Sequence, residues 1–268
     1  MIGMAGRLRL VVGLDGAGHC ALKEQFNSQL HRVLQLIPGD APEEGVIYLL
    51  NPTGGIVQGD ELEAEIRVAR GAHAIVTAPS ATKVYRMERD HAVSRTRLRV
   101  ERDAVLEYLP EPLIPHAGAR FVEELELDLE EGGRTLGWEI LASGRAARGE
   151  SLAYDRLELR LGLRAGEEVV LRERGAIVPS EGLDGPAVLG EFSCYGILWA
   201  VGGEESLMEE ALREFKEREY SGVTRLRRGV VLKVLSKGLS PVRALFNEAR
   251  DRLMPLISRR PATPLRKT

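Results

Sequence analysis

The chain has 268 residues and a mass of 29.5 kDa, with 44% hydrophobic and 29% charged residues, an ordinary soluble composition with enough length for a substantial core. Lys plus Arg number 37 against 40 Asp plus Glu, and the resulting net charge of -3 gives no electrostatic case for nucleic acid. No apolar run approaches the roughly 18 residues that a membrane-spanning helix needs.

Residues 1–7 hold no basic segment followed by an apolar stretch, so no secretory leader is read there. The two cysteines, Cys20 and Cys194, lie far apart and form no CxxC. That excludes a zinc ribbon or a dithiol redox motif, and the expectation is two free thiols in a reducing cytoplasm.

In chain order, an apolar run at 8–14 is followed by Gly16-Ala17-Gly18-His19-Cys20-Ala21, a G-x-G-x-x-A pattern. A dinucleotide turn would need a helix after it and a series of βαβ units. Neither follows, so the pattern reads as a hairpin turn. Residues 31–37 end at Pro38 and fit a strand or a helix equally. Further apolar runs lie at 46–50, 74–78, 104–109 and 230–234. Period-two alternation marks strands at 61–68, 95–100, 121–129 and 155–161. In the third, Leu125, Leu127 and Leu129 alternate with Glu124, Glu126 and Asp128. Gly132-Gly133 and Gly166-Glu167 supply turns.

Two segments carry helical periodicity. Residues 204–217 place Leu207, Met208, Ala211, Leu212 and Phe215 on one face, and 241–254 place Val242, Leu245, Phe246, Ala249 and Leu253 on one face. Ser240-Pro241 suits the start of the second helix, and Pro255 its stop. The expected fold is mainly β, built of antiparallel strands, with a few C-terminal helices. One domain is expected over 1–268: strand-rich through 7–200, helix-containing over 203–258, with a mobile basic tail at 259–268.

Three segments stand out. The first, Asn51-Pro52-Thr53-Gly54-Gly55-Ile56-Val57-Gln58-Gly59-Asp60, leaves one strand and enters the next. Its Asp60 reads either as a turn former or, with Glu61, as an acid facing an internal passage. The second, Thr77-Ala78-Pro79-Ser80-Ala81-Thr82-Lys83-Val84-Tyr85-Arg86, runs a strand into a turn with two cations. The third, 106–115, has prolines at 110, 112 and 115 and presents Glu107 and Glu111 from a rigid crossing. No histidine pair has metal-ligand spacing, so no closed metal site is read locally. No P-loop and no G-x-S-x-G elbow occurs.

Taken with Gly144-Arg145-Ala146-Ala147-Arg148-Gly149-Glu150, these segments resemble the urease accessory protein UreD family, also called UreH. The resemblance runs from about residue 8 to the C-terminal helix. It implies a β-helix-like stack of strands with C-terminal helices, and a scaffold or metallochaperone rather than an enzyme. The implied partners are apo-urease, UreF and, through UreF, the GTPase UreG, with a dimer of such heteromers as a possible assembly. The resemblance also implies that no cofactor is held tightly and that nickel passes through in transit.

A conduit needs weak donors, since a closed Cys/His cage would trap the ion. On that basis Asp60, Glu61, Glu107, Glu111 and Glu150 are the candidate nickel route. Lys83, Arg86 and Arg145 are expected to hold those carboxylates by charge-assisted hydrogen bonds. Phe246 and Leu253 are expected to contribute apolar surface for UreF. The competing reading is a binder of a phosphorylated ligand that uses the Gly54-Gly55 loop as an anion nest beneath Lys83 and Arg86.

Overall fold

The computed structural model describes residues 3–182, 192–218 and 220–265. The first strands are β1 (Ala5–Leu14), β2 (Cys20–Asn27), β3 (Arg32–Val33), β4 (Ile37–Pro38) and β5 (Glu44–Leu50). Next come β6 (Glu61–Val68), β7 (His73–Thr77), β8 (Thr82–Val84), β9 (Ala92–Val100), β10 (Val105–Leu109) and β11 (Leu113–Pro115). Then follow β12 (Arg120–Leu129), β13 (Arg134–Ala142), β14 (Arg156–Ala165), β15 (Glu168–Ile177) and β16 (Cys194–Val201). A helix α1 (Glu205–Ala211), strands β17 (Ser221–Leu226) and β18 (Gly229–Ser236) and the long helix α2 (Leu239–Ile257) complete the chain.

The strands form two facing sheets. The first has the order β15-β14-β12-β9-β6-β1-β2, and the second runs β17-β18-β16-β13-β10-β7-β5-β3 along its main path. The chain alternates between them: β6 to β7, β9 to β10, β12 to β13, with coils beginning at Glu61, Ala92 and Arg120. Neighbours in the centre of each sheet are therefore parallel, as in β6–β9, β9–β12, β7–β10 and β10–β13. This corrects the antiparallel expectation. A parallel crossover needs a dozen or more residues, and here a strand of the opposite sheet supplies the crossover instead of a helix. Antiparallel pairs stand at the two ends, in β1–β2, β14–β15, β13–β16, β16–β18 and β17–β18.

Register stacks like on like along the inside of the first sheet. Ala64, Thr96, Leu125 and Leu161 form one rung, and Ile66, Leu98, Leu127 and Leu163 another. The rung of Leu62, Ser94, Glu123 and Leu159 carries a carboxyl into the interior. On the outside, Glu63, Arg95, Glu124 and Arg160 alternate in sign, and Arg95 lies 3.2 Å from Glu124. Such cross-strand pairs fix register more than they add stability.

The second sheet is buried on both faces. Its inner face joins the solenoid interior through Val76, Ile197 and Trp199, and its outer face is covered by α2. Phe246 and Leu253 sit there, fully buried with Leu136, Trp138 and Leu198. Neither offers surface to a partner. Two features of the helices depart from the sequence reading. Helix α2 starts at Leu239 without a side-chain cap and continues through Pro255 to Ile257. The 204–217 segment splits into α1 and a 3₁₀ turn over Arg213–Glu217. Within the tail, Thr263 is buried and Arg260 lies 2.8 Å from Glu43. Residues 266–268 of the predicted tail lie outside the described residues.

Candidate functional site

The glycine turn before β6 is closed by Asp60 itself. Asp60 is 1% exposed; one carboxylate oxygen accepts the Met4 N–H at 3.0 Å and the other the Val57 N–H at 2.9 Å. Its lone pairs tie the start of β1 to the turn, so the turn-forming reading of Asp60 describes what it does here. Glu61 points outward and is exposed.

The Gly54-Gly55 loop spends its polar groups internally. Asn51 Oδ1 accepts from Thr53 N–H at 2.9 Å, and the Tyr85 hydroxyl donates to the Gly54 carbonyl at 3.2 Å. Gly54 has φ +79°, and a Cβ on Gly55 would sit 2.4 Å from the Tyr85 ring. The loop is closely packed at Gly55 and exposed at Pro52, Thr53 and Gly54. Lys83 and Arg86 are exposed, with no ion pair to any carboxylate among the described residues. Only Arg145 takes the expected supporting part: its Nε donates to Glu150 at 2.7 Å, and its Nη2 pairs with the other oxygen. That pair is half-buried at a loop.

Glu107 belongs to a buried charge network beneath α2. His73 stands between two carboxylates, with Nδ1 3.1 Å from Glu44 and Nε2 2.9 Å from Glu107. Arg250 of α2 donates to Glu107 and, at 3.0 Å, to the Thr263 carbonyl, while the Thr263 hydroxyl bonds Glu44. Burial works against charge on His73, but hydrogen bonds to Glu107 and Glu44 outweigh it and raise its pKa to about 9. Burial likewise works to raise Glu44, yet His73 and Thr263 hold it at about 2. Both Glu107 oxygens are engaged, one by His73 and one by Arg250, while Arg250 Nη2 is buried without a partner among the described residues. Glu111 is 7% exposed and paired with Arg243.

Of the predicted acids Glu111 lines open interior space, and it is joined there by two acids that the sequence reading did not name. A cavity of about 160 Å³ is walled by Leu8, His31, Asn51, Ser94, Thr96, Tyr108, Glu123 and Glu139, with Glu111 at its side. A second, of about 460 Å³, is walled by Glu123, Glu139, Leu161, Glu173, Tyr195, Tyr220 and Lys233. The two share Leu113, Glu123, Glu139 and Ile140. Glu123 comes from β12 and Glu139 from β13, one from each sheet, and no Lys or Arg pairs with either among the described residues. Burial pushes Glu123 up to about 7. Burial and then the Glu123 charge raise Glu139 well above the usual carboxylate range. Tyr108 is pushed upward by burial and by both acids, and bonds Thr96. At the far wall Lys233 Nζ holds both oxygens of Glu173 at 2.7 Å.

Glu123 was legible: it stands in phase with Phe121 and Leu125 on the inward face of its strand. Glu139 is the one charged residue in the run Leu136-Gly137-Trp138-Glu139-Ile140-Leu141, and that anomaly was its signal. The arrangement joins two sheets at a pair of uncompensated carboxyls inside a strand-rich body. A model of the family described as UreD urease accessory protein matches residues 4–268. The chain belongs to the UreD family. The urease accessory protein UreD of Marinobacter nauticus is 37% identical over 222 residues, covering 81% of this chain and 74% of that one. That of Alkalilimnicola ehrlichii is 32% identical over 271 residues, covering 98% and 90%. That of Mycolicibacterium gilvum is 30% identical over 264 residues, covering 93% and 95%. Membership in this UreD family makes the chain an accessory protein of urease maturation. No helix among the described residues is long and apolar enough to cross a membrane.

Proposed function

We propose that this UreD-family chain docks on apo-urease in the cytoplasm and passes nickel toward its buried site, in complex with UreF and the GTPase UreG. The ion is cargo, held only in transit. What carries the reading is the pair of cavities meeting at Glu123 and Glu139. Oxygen donors without a thiolate or a His cluster bind a dication loosely. A carboxyl pair that resists ionisation binds it more loosely still, because the metal must displace a proton. Among the described residues no group of three or more His, Cys, Asp or Glu could hold a metal ion.

Glu139→Leu tests this. The variant should still be retained by UreF and apo-urease in a pull-down, while nickel-dependent urease activation drops by roughly tenfold or more, the usual cost of losing a metal-site group. Full activation by an intact variant complex would overturn the route.

A further inference from the structure

The five histidines of the chain form no ligand-spaced pair, yet one of them has an arrangement that the fold does not otherwise explain. His31 closes the turn between β2 and β3. Its N–H donates to the Ser28 carbonyl at 3.1 Å, and its carbonyl accepts from Asn27 Nδ2 at 3.2 Å, so its backbone is fixed at both ends. Leu30 beside it is fully buried. The imidazole lines the smaller cavity, and its Nε2 is buried with no hydrogen-bond partner. The backbone carbonyl of Glu63 accepts from the ring. With Nε2 unpartnered, the ring proton belongs on Nδ1, which leaves Nε2 a bare lone pair. A buried polar atom left unsatisfied costs about 1–3 kcal/mol and calls for a reason. Leu8, Leu49 and Leu62, which line the same cavity, have no polar side-chain atom to offer.

We propose that His31 Nε2 is a nickel-binding station on the wall of this cavity, set to prefer a transition-metal dication over magnesium. The inference rests on the nickel-delivery reading. Ligating histidines are oriented in this way, with the second ring nitrogen donating to a carbonyl or carboxylate. Burial lowers the His31 pKa to about 4, so the ring is neutral at physiological pH and its lone pair is free. Thr77, Ser94 and Thr96, which line the same cavity, carry neutral hydroxyl oxygens. One nitrogen with such oxygens makes a weak, exchangeable site. Nickel ranks high in affinity for imidazole, whereas magnesium takes oxygen donors and keeps its waters. A nitrogen at one place in the passage and carboxyls at another would separate selection from relay.

The test uses the full chain with carbon-13-labelled histidine and nickel chloride alone as the probe, read by paramagnetic broadening of each ring signal. The His31 signal is expected to broaden at a lower nickel concentration than the signals of exposed His19 and His91. A hundredfold excess of magnesium chloride should not restore it. His31→Gln should weaken nickel binding in equilibrium dialysis by roughly tenfold, while His91→Gln should not. A His31 signal that keeps its width while the exposed histidines broaden overturns the station, and so does reversal by magnesium. Urease activation is a separate readout. Broadening at His31 combined with a fully active Glu139→Leu complex would defeat the passage and keep the site. An unbroadened His31 with an inactive Glu139→Leu complex would do the reverse.

Discussion

At the scale of single residues, two buried charges invite opposite expectations from the ones their sequence context suggests. Asp60 stands in the most motif-like loop of the chain, yet both its oxygens serve backbone N–H groups. Asp60→Ala strips two acceptors at once, and the orphaned donors should cost roughly 2–4 kcal/mol in urea unfolding. Any loss of urease activation in that variant should track the loss of folded protein, and a stable Asp60→Ala that fails to load nickel would contradict this. His73 makes the second case. Its folded pKa of about 9 lies above the ordinary value of 6.5. The stability it contributes is therefore fully present below about pH 6.5 and is lost as pH rises through about 9. Glu44, held at about 2, contributes above its ordinary 4.5, and that share is lost as pH falls toward about 2. Unfolding free energy should decline between pH 6.5 and 9 by an amount on the order of 2–3 kcal/mol from His73. His73→Gln should flatten that slope; an unchanged slope would show that the decline comes from elsewhere.

At the scale of elements, strand positions were largely readable and strand partners were not. The alternation in 61–68 and 121–129 gave β6 and β12 close to their bounds, because one face of each meets solvent. Pairing direction depends on where the chain goes between strands, and no local pattern records that. In β13 the alternation vanishes, since Trp138 faces α2 while Glu139 faces the interior. Helix α2 was read correctly as a helix, but placing its Phe246 and Leu253 on a partner surface failed for a related reason. Its apolar stripe announces burial, but the stripe is the same whether the cover is a partner or the protein's own sheet. Here Phe246 and Val242 lie close on Gly196 of β16, where an added Cβ would stand 2.7 Å from the Phe246 ring. Gly196→Ala is expected to cost about 1–3 kcal/mol through overpacking, and Phe246→Ala about 3–5 through a cavity. Removal of the chain from Leu239 onward should abolish cooperative unfolding, because Trp138, Leu198 and Arg250's partner Glu107 lose their cover together. A truncated chain that still melts sharply would show that α2 is dispensable.

At the scale of the whole molecule, the unusual feature is space left open where the register of the sheets could have filled it. The interior rungs next to the passage carry small or polar side chains, Ala64, Ser94 and Thr96, while the adjacent rungs are Ile66, Leu98 and Leu127. A body kept only for stability gains from filling such a void, since apolar burial contributes and unfilled volume costs. Retained space beside unpaired Glu123 and Glu139 therefore argues for a use that opposes packing. Ala64 is on the wall of the smaller cavity and 6% exposed. Ala64→Leu should occupy part of that 160 Å³ while leaving the outer faces of both sheets unaltered. The expected outcome is an unfolding free energy equal to or about 1 kcal/mol above that of the parent chain, an unchanged pull-down of UreF and apo-urease, and slower nickel-dependent activation of urease. That combination separates passage from scaffold, because a chain acting only as a scaffold would gain stability and keep its full activating power.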